Sequence, residues 1–254
     1  MSTYRPLEGK VAIVTGASRG IGAAIAYDLA SHGAHVALTY SSDRSRAGVD
    51  ELISRIKLTG SSSAIGIQCD LGSTSAPSQI VSATTDAFGP NIDILINNAA
   101  AISGLKAHEI TPEHFDQIFH LNVRAPLLML QAVLPHLRRP GRIVNVSSIG
   151  ARAGFPGVGT YSASKAALEG YTRSWAAELG GDGTTVNAIA PGPVRSEMLD
   201  KVDKEIVGPQ LKATPVQQRE GTPEEIAEIV RGLVTGMGWV SGQTICTSGG
   251  YAMY

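Results

Sequence analysis

Tyr161 and Lys165 stand four positions apart near the end of the stretch Arg142–Lys165. On a helix that spacing sets two side chains one above the other on the same face. A phenol with a pKa of about 10 is a poor acid or base at neutral pH, and a neighbouring ammonium favours its anionic form. Ser148, just beyond the apolar run Ile143 to Val146, brings a hydroxyl toward the same pocket. Serine, tyrosine and lysine together describe a site that gives a proton to, or takes one from, a carbonyl or alcohol oxygen. Tyr-x-x-x-Lys is also an ordinary surface pair on any helix, so the surrounding elements decide.

Those three residues need a strand that stops near Ser147 and a helix that starts near Thr160. The whole chain has that grammar. Strand-like runs at Val11–Thr15, Ala34–Tyr40, Ala64–Gln68, Ile92–Ile96, Ile143–Val146, Thr184–Ala190 and Gln243–Thr247 alternate with helix-length segments. The helices are expected from the glycine turn to about Ser31, up to about Leu58, over Ser75–Phe88, Pro112–Arg138 and Thr160–Leu179, and after Thr222-Pro223-Glu224-Glu225. Thr111 and Thr222 are natural N-caps, each followed by proline at the first helical position. The pattern predicts an α/β fold: one Rossmann-like domain over 1–254, a doubly wound parallel sheet of about seven strands flanked by helices. Residues 194–220 carry no clear period and read as a mobile loop or a pair of short helices that closes over a ligand.

Gly16, Gly20 and Gly22 sit at the first strand-to-helix crossover. Glycines there allow a tight turn and close approach of a pyrophosphate, and a helix N-terminus offers free N–H groups. The spacing Gly-x-x-x-Gly-x-Gly differs from the general Gly-x-Gly-x-x-Gly fingerprint. Gly16-Ala17-Ser18-Arg19-Gly20 also fits the Gly-x-Ser-x-Gly nucleophile elbow of hydrolases, but the last histidine, His136, falls in the long helix rather than after an acid near the C-terminus. Ser162-Ala163-Ser164-Lys165 matches Ser-x-x-Lys without the accompanying Ser-Asp-Asn or Lys-Thr-Gly. The six histidines show no ligand spacing, so no metal site is expected.

Composition narrows the partners. With 43% hydrophobic and 17% charged residues and a net charge of −1, the 254-residue chain gives no reason to expect nucleic acid or an anionic membrane. Cys69 and Cys246 are too few for a disulfide framework. The N-terminus lacks a signal-peptide core, and no apolar run approaches the roughly 18–20 residues of a span. A cytoplasmic location is expected. The Asn145-Val146-Ser147 sequon lies in an expected buried strand and reads as chance.

Taken together, Thr15-Gly16-x-x-x-Gly20-Ile21-Gly22, Asn97-Asn98-Ala99-Ala100, Asn122, Ser148, Tyr161-x-x-x-Lys165 and Pro191-Gly192-Pro193-Val194 resemble the short-chain dehydrogenase/reductase family, in its order, from about residue 9 to 250. The resemblance implies a nicotinamide cofactor and a catalytic tetrad of Asn122, Ser148, Tyr161 and Lys165. It implies cofactor contacts from Gly16, Ser18, Arg19, Gly20, Ile21 and Gly22 in the turn. Asp70 would meet the adenine with Leu71 beside it, and Asn98 and Ala99 would lie on the cofactor floor. Tyr161 and Lys165 would contact the nicotinamide end, with Pro191, Gly192 and Val194 after the sixth strand. Asn97 matches a segment that steadies the central sheet, and Asn122 would hold a water linking Lys165 to solvent. Ala100 replaces the usual glycine, and Ser248-Gly249-Gly250 the usual Asp-Gly-Gly.

Cofactor preference follows from charge. Strand two ends in Thr39-Tyr40-Ser41-Ser42, with no carboxylate for a ribose 2′-hydroxyl, whereas Arg19, Ser41 and Ser42 suit a 2′-phosphate. Asp43 would oppose phosphate if it turned inward. NADP is therefore expected. The substrate wall is expected from Ile149, Gly154, Phe155, Gly192 onward, Met198 and Leu199, with the tail 250–254 packed rather than loose. The resemblance to ketoreductases of polyketide-type or acyl-carrier ketones implies an NADPH-dependent ketoreductase acting on a small molecule. The alternatives are an alcohol dehydrogenase running in the oxidising direction and a non-redox or regulatory protein on the same scaffold. By the same resemblance the protein is a homo-oligomer, a tetramer or dimer, joined through the helices at 112–138 and 160–179.

Overall fold

A computed structural model describes residues 5–254 apart from 61, 103 and 201–203. Seven parallel strands, β1 Val11–Val14, β2 His35–Tyr40, β3 Ala64–Gln68, β4 Ile92–Asn97, β5 Leu137–Val146, β6 Thr185–Pro191 and β7 Thr244–Thr247, form one sheet. Their spatial order is β3-β2-β1-β4-β5-β6-β7. The order reverses between β1 and β4, the place where doubly wound sheets bind ligands.

Strand composition explains the layering. Side chains alternate across a sheet, and a strand buried on both faces is apolar throughout. In β1, Ala12 and Val14 enter one core with α1 (Gly20–Ser31), α2 (Arg46–Lys57) and α9 (Pro223–Thr235). Val11 and Ile13 enter the opposite core with α3 (Ala76–Phe88), α5 (Ala125–Val133) and α6 (Gly159–Leu179). Ile13, Leu38, Leu95 and Ile143 are fully buried, each contributing about 1.5–3 kcal/mol.

Both expected caps form. The Thr111 hydroxyl accepts from the His114 amide at 3.2 Å, opening α4 (Pro112–Phe119). Thr222 and Glu225 make a reciprocal capping box on α9. The long helix expected over 112–138 is interrupted and shorter. A π turn, His120–Arg124, separates α4 from α5, and a short 3-10 turn, Leu134–His136, ends the rod. β5 then begins at Leu137, six residues before the expected strand, with Leu137 paired to Ile92. Pro135 accounts for the early stop: it has no N–H to give the carbonyl of Gln131 one turn back, so the α ladder ends there.

Pro112–His136 is long and apolar enough, by length and composition, to cross a bilayer, which the sequence reading did not expect. Here it lies against the sheet, burying Met129, Leu130 and Val133. The 194–220 segment carries two short helices, α7 (Glu197–Asp200) and α8 (Lys204–Ala213), one of the two expected forms.

Candidate active site

β1 ends at Val14, one residue before the expected end, and Thr15 joins it to β4 through its side chain. Thr15 Oγ1 donates to the Ile96 carbonyl and accepts from the amides of Asn98 and Ala99 at 2.9 and 3.0 Å. Asn98 Nδ2 in turn donates to the carbonyls of Thr15 and Gly16. The glycine turn is thus pinned to the end of β4. Gly16 has φ +65°, and a Cβ on Gly22 would lie 2.3 Å from the Gly16 oxygen and 2.5 Å from Asn98 Nδ2. α1 starts behind Arg19 with no side chain capping it, so its first amides are available to an anion. A backbone this close and an uncapped helix N-terminus fit a dinucleotide pyrophosphate.

A groove of about 800 Å³ runs past this turn. It is lined by Gly16, Ser18, Arg19, Gly20, Ile21 and Gly22, by Tyr40 and Ser41 at the end of β2, by Asp70 and Leu71, and by Asn98 and Ala99. Ser42 does not line it; its hydroxyl lies 3.4 Å from that of Ser45, and Ser45 faces the groove instead. Asp43 is turned out, 86% exposed and paired with Arg46 at 3.5 Å, so it opposes no anion there. Arg19 reaches across the groove to Glu197 on α7 at 3.2 Å. Sequence spacing held no signal for that contact.

The groove continues into a smaller cavity of about 240 Å³. Ile21, Asn98, Ala100, Ile102 and Ser196 line both. Pro191, Gly192 and Val194, expected on the cofactor, line this inner cavity. Ser148, Tyr161 and Lys165 meet here. The Ser148 hydroxyl caps the 3-10 turn Ile149–Ala151 by accepting from the Gly150 amide at 3.0 Å. The same hydroxyl acts on the Tyr161 phenol, favouring its ionised form. Lys165 Nζ donates to the Val146 carbonyl at 2.7 Å and lies 5.8 Å from the centre of the Tyr161 ring.

The electrostatics correct one expectation. Burial pushes the Tyr161 phenol above its ordinary value, and the Ser148 hydroxyl only partly offsets this. The same burial drives the Lys165 ammonium down to about 7, so near neutrality it is only partly charged. Burial therefore holds the phenol protonated in the protein alone.

Asn122 lies within the π turn, and its side chain does not reach out for water. Its Oδ1 accepts from the Ala101 amide, and its Nδ2 donates to the Ala101 carbonyl and the Ser164 hydroxyl, at 2.9, 2.9 and 3.0 Å. The amide clamps the loop after β4 onto α6. Position 126, the regular helical donor to the Asn122 carbonyl, is proline and has no N–H to give. Asn97 is structural as expected: its amide bonds Asn145, which bonds Thr172 on α6, both at 2.9 Å.

On the substrate wall, Ile149, Phe155, Gly192 and Leu199 line the cavity as expected; Gly154 does not. The side chain of Met198 lies outside the described residues. Pro156, Val158, Val207 and Gln210 complete the wall. The last two, three apart on α8, share the face turned inward; the broken period of that segment had hidden them.

A doubly wound sheet, a glycine turn at its switch point and a Ser-Tyr-Lys cluster at the inner end of the groove define a dinucleotide-dependent oxidoreductase. The family model described as Enoyl-(Acyl carrier protein) reductase matches residues 16–252. The chain is 41% identical over 249 residues to "Short-chain dehydrogenase/reductase FrzI" of Cladobotryum sp, covering 95% of each. It is 37% identical to L-xylo-3-hexulose reductase of Hypocrea jecorina, covering 98% of each. It superposes on the blue fluorescent protein from a metagenomic library, crystallised in complex with NADPH, with TM-score 0.91, 37% identity and coverage of 98% of this chain and 100% of that one. The chain belongs to the short-chain dehydrogenase/reductase family, and it is an NAD(P)H-dependent oxidoreductase.

Proposed function

We propose that this protein is an NADPH-dependent ketoreductase in which Tyr161 is the proton donor. The convergence of Ser148, Tyr161 and Lys165 on an apolar cavity at the end of the dinucleotide groove carries this function. The bound cofactor supplies the hydride that adds to the carbonyl carbon. Tyr161, kept protonated by burial, gives its proton to the carbonyl oxygen. Ser148 donates a hydrogen bond to that oxygen as its charge develops. Lys165, held on the Val146 carbonyl, orients the nicotinamide ribose and returns a proton to the phenol. The Asn122 carbonyl, released by Pro126, holds a water on the path from Lys165 to solvent. The same groups serve alcohol oxidation in reverse.

Arg19 and Ser41 favour NADP over NAD, a preference supported by the NADPH complex of the metagenomic relative. Leu199, Val207 and Gln210 close one wall of the cavity, which suits a compact apolar ketone. We place the enzyme in the cytoplasm as a homotetramer or dimer joined through α4–α5 and α6; the half-exposed Phe115, stacked on Phe119, supports that contact. Loss of reduced-nicotinamide absorbance with a panel of cyclic and linear ketones tests the function. Tight NADPH binding without turnover of any of them would overturn it in favour of a regulatory protein.

A further inference from the structure

Glu169 is a buried carboxylate that the reaction above does not use. It lies one helical turn beyond Lys165 on α6, on the face that carries Tyr161 and Lys165, and its side chain is 5% exposed. A buried carboxylate is costly unless paired and hydrogen-bonded, and both its oxygens are engaged. Oε1 accepts from the Ser147 hydroxyl at 3.0 Å, and Oε2 accepts from Arg152 Nε at 2.8 Å. The Arg152 guanidinium also lies 5.2 Å over the ring of Tyr254. The Tyr254 hydroxyl donates to the Ile149 carbonyl at 3.1 Å.

Ser147 and Ile149 are the two neighbours of Ser148. One is held by Glu169, the other by Tyr254, and Arg152 joins the two holders. We infer that Glu169, Arg152 and Tyr254 form a bracket that fixes where the Ser148 hydroxyl sits relative to Tyr161, making all three positioning residues for the reaction. The bracket ties the serine to the helix bearing the phenol and to the C-terminal segment, so the two hydroxyls share one frame. This rests on the roles assigned to Ser148 and Tyr161 above.

The test uses Glu169→Gln, which keeps the shape but removes the charge, and Tyr254→Phe, which removes one hydroxyl and keeps the ring under Arg152. Each is expected to lower kcat about tenfold, well inside the ~10²-fold that a misplacement of order 1 Å costs, with NADPH affinity unchanged. A positioning role also moves the pH profile. Loosening Ser148 weakens the influence that lowers the phenol's pKa, so alcohol oxidation, which needs the phenolate, should shift to higher pH. Lys165 is the other titrating group facing the phenol, and neither substitution touches it. In a Ser148→Ala background both substitutions should cost nothing further. Wild-type kcat and pH profile in both variants, or additive losses in that background, would overturn the bracket. If Ser148→Ala itself turned over normally, the assignment of the serine would fall instead.

Discussion

The Nζ of Lys165 donates to the Val146 carbonyl at 2.7 Å, two residues before Ser148, so the amine on α6 is anchored to the strand end that presents the serine. Its burial has a pH signature. With a folded pKa of about 7 and an unfolded value of about 10.4, the unfolded chain binds the extra proton between those limits. Stability from this residue therefore rises with pH across that window, and below about 7 its full cost is present. Lys165→Met should raise the melting temperature of the cofactor-free protein more at about pH 6, where the full cost of the buried ammonium is present, than at about pH 10, where most of that cost is gone. An equal gain at both, by thermal denaturation, would contradict a dehydrated ammonium.

Tyr161→Phe removes the proton donor and leaves the ring. Turnover should fall by about 10²–10⁴-fold, the usual worth of a positioned acid, while NADPH titrated by fluorescence binds nearly as before. Retained turnover would mean that another group delivers the proton.

Arg19 is shared between the groove and Glu197. Arg19→Ala should weaken NADPH binding by roughly tenfold or more, as the loss of a charged hydrogen bond predicts, and change NADH little. Glu197→Gln removes the competitor and should tighten NADPH at most severalfold, since exposed pairs are weak. Equal losses for both dinucleotides in Arg19→Ala would count against a 2′-phosphate contact.

Gly22 has no room for a side chain: its Cβ would lie 2.3 Å from the Gly16 oxygen. Gly22→Ala should cost about 1–3 kcal/mol by overpacking and spoil the turn for either dinucleotide. Chemical denaturation and cofactor titration would read the two effects separately, and an unperturbed variant would show the turn to be looser than described.

Residues whose neighbours are local in sequence were legible before folding. The glycine turn, the Tyr161–Lys165 face and the Thr111 and Thr222 caps follow from spacing alone, and the alternating apolar runs gave every strand to within a few residues, apart from the start of β5. Contacts made by distant segments were not. Nothing in the sequence pairs Arg19 with Glu197 or Tyr254 with Ile149, because neither pair shares a period or a motif. The π turn escaped for another reason: one inserted residue leaves the apolar pattern of the rod nearly intact, and only Pro126 hints that the helical ladder is broken there. The spacing of Tyr161 and Lys165 places them on one face of α6 but carries no information on burial, which depends on everything folded around them.

The β1–β4 ladder has consequences for how the protein comes apart. Only three residue pairs join these strands, Ala12 to Ile94, Ile13 to Leu95 and Val14 to Ile96, whereas β4 and β5 share five. The groove crosses this seam, with the glycine turn on one bank and Asn98 and Ala99 at the end of β4 on the other, so a bound dinucleotide would bridge the two strand ends. At a hundred times its dissociation constant such a ligand adds about 2.7 kcal/mol against unfolding. The protein is then expected to resist unfolding better where nucleotide is plentiful than where it is scarce.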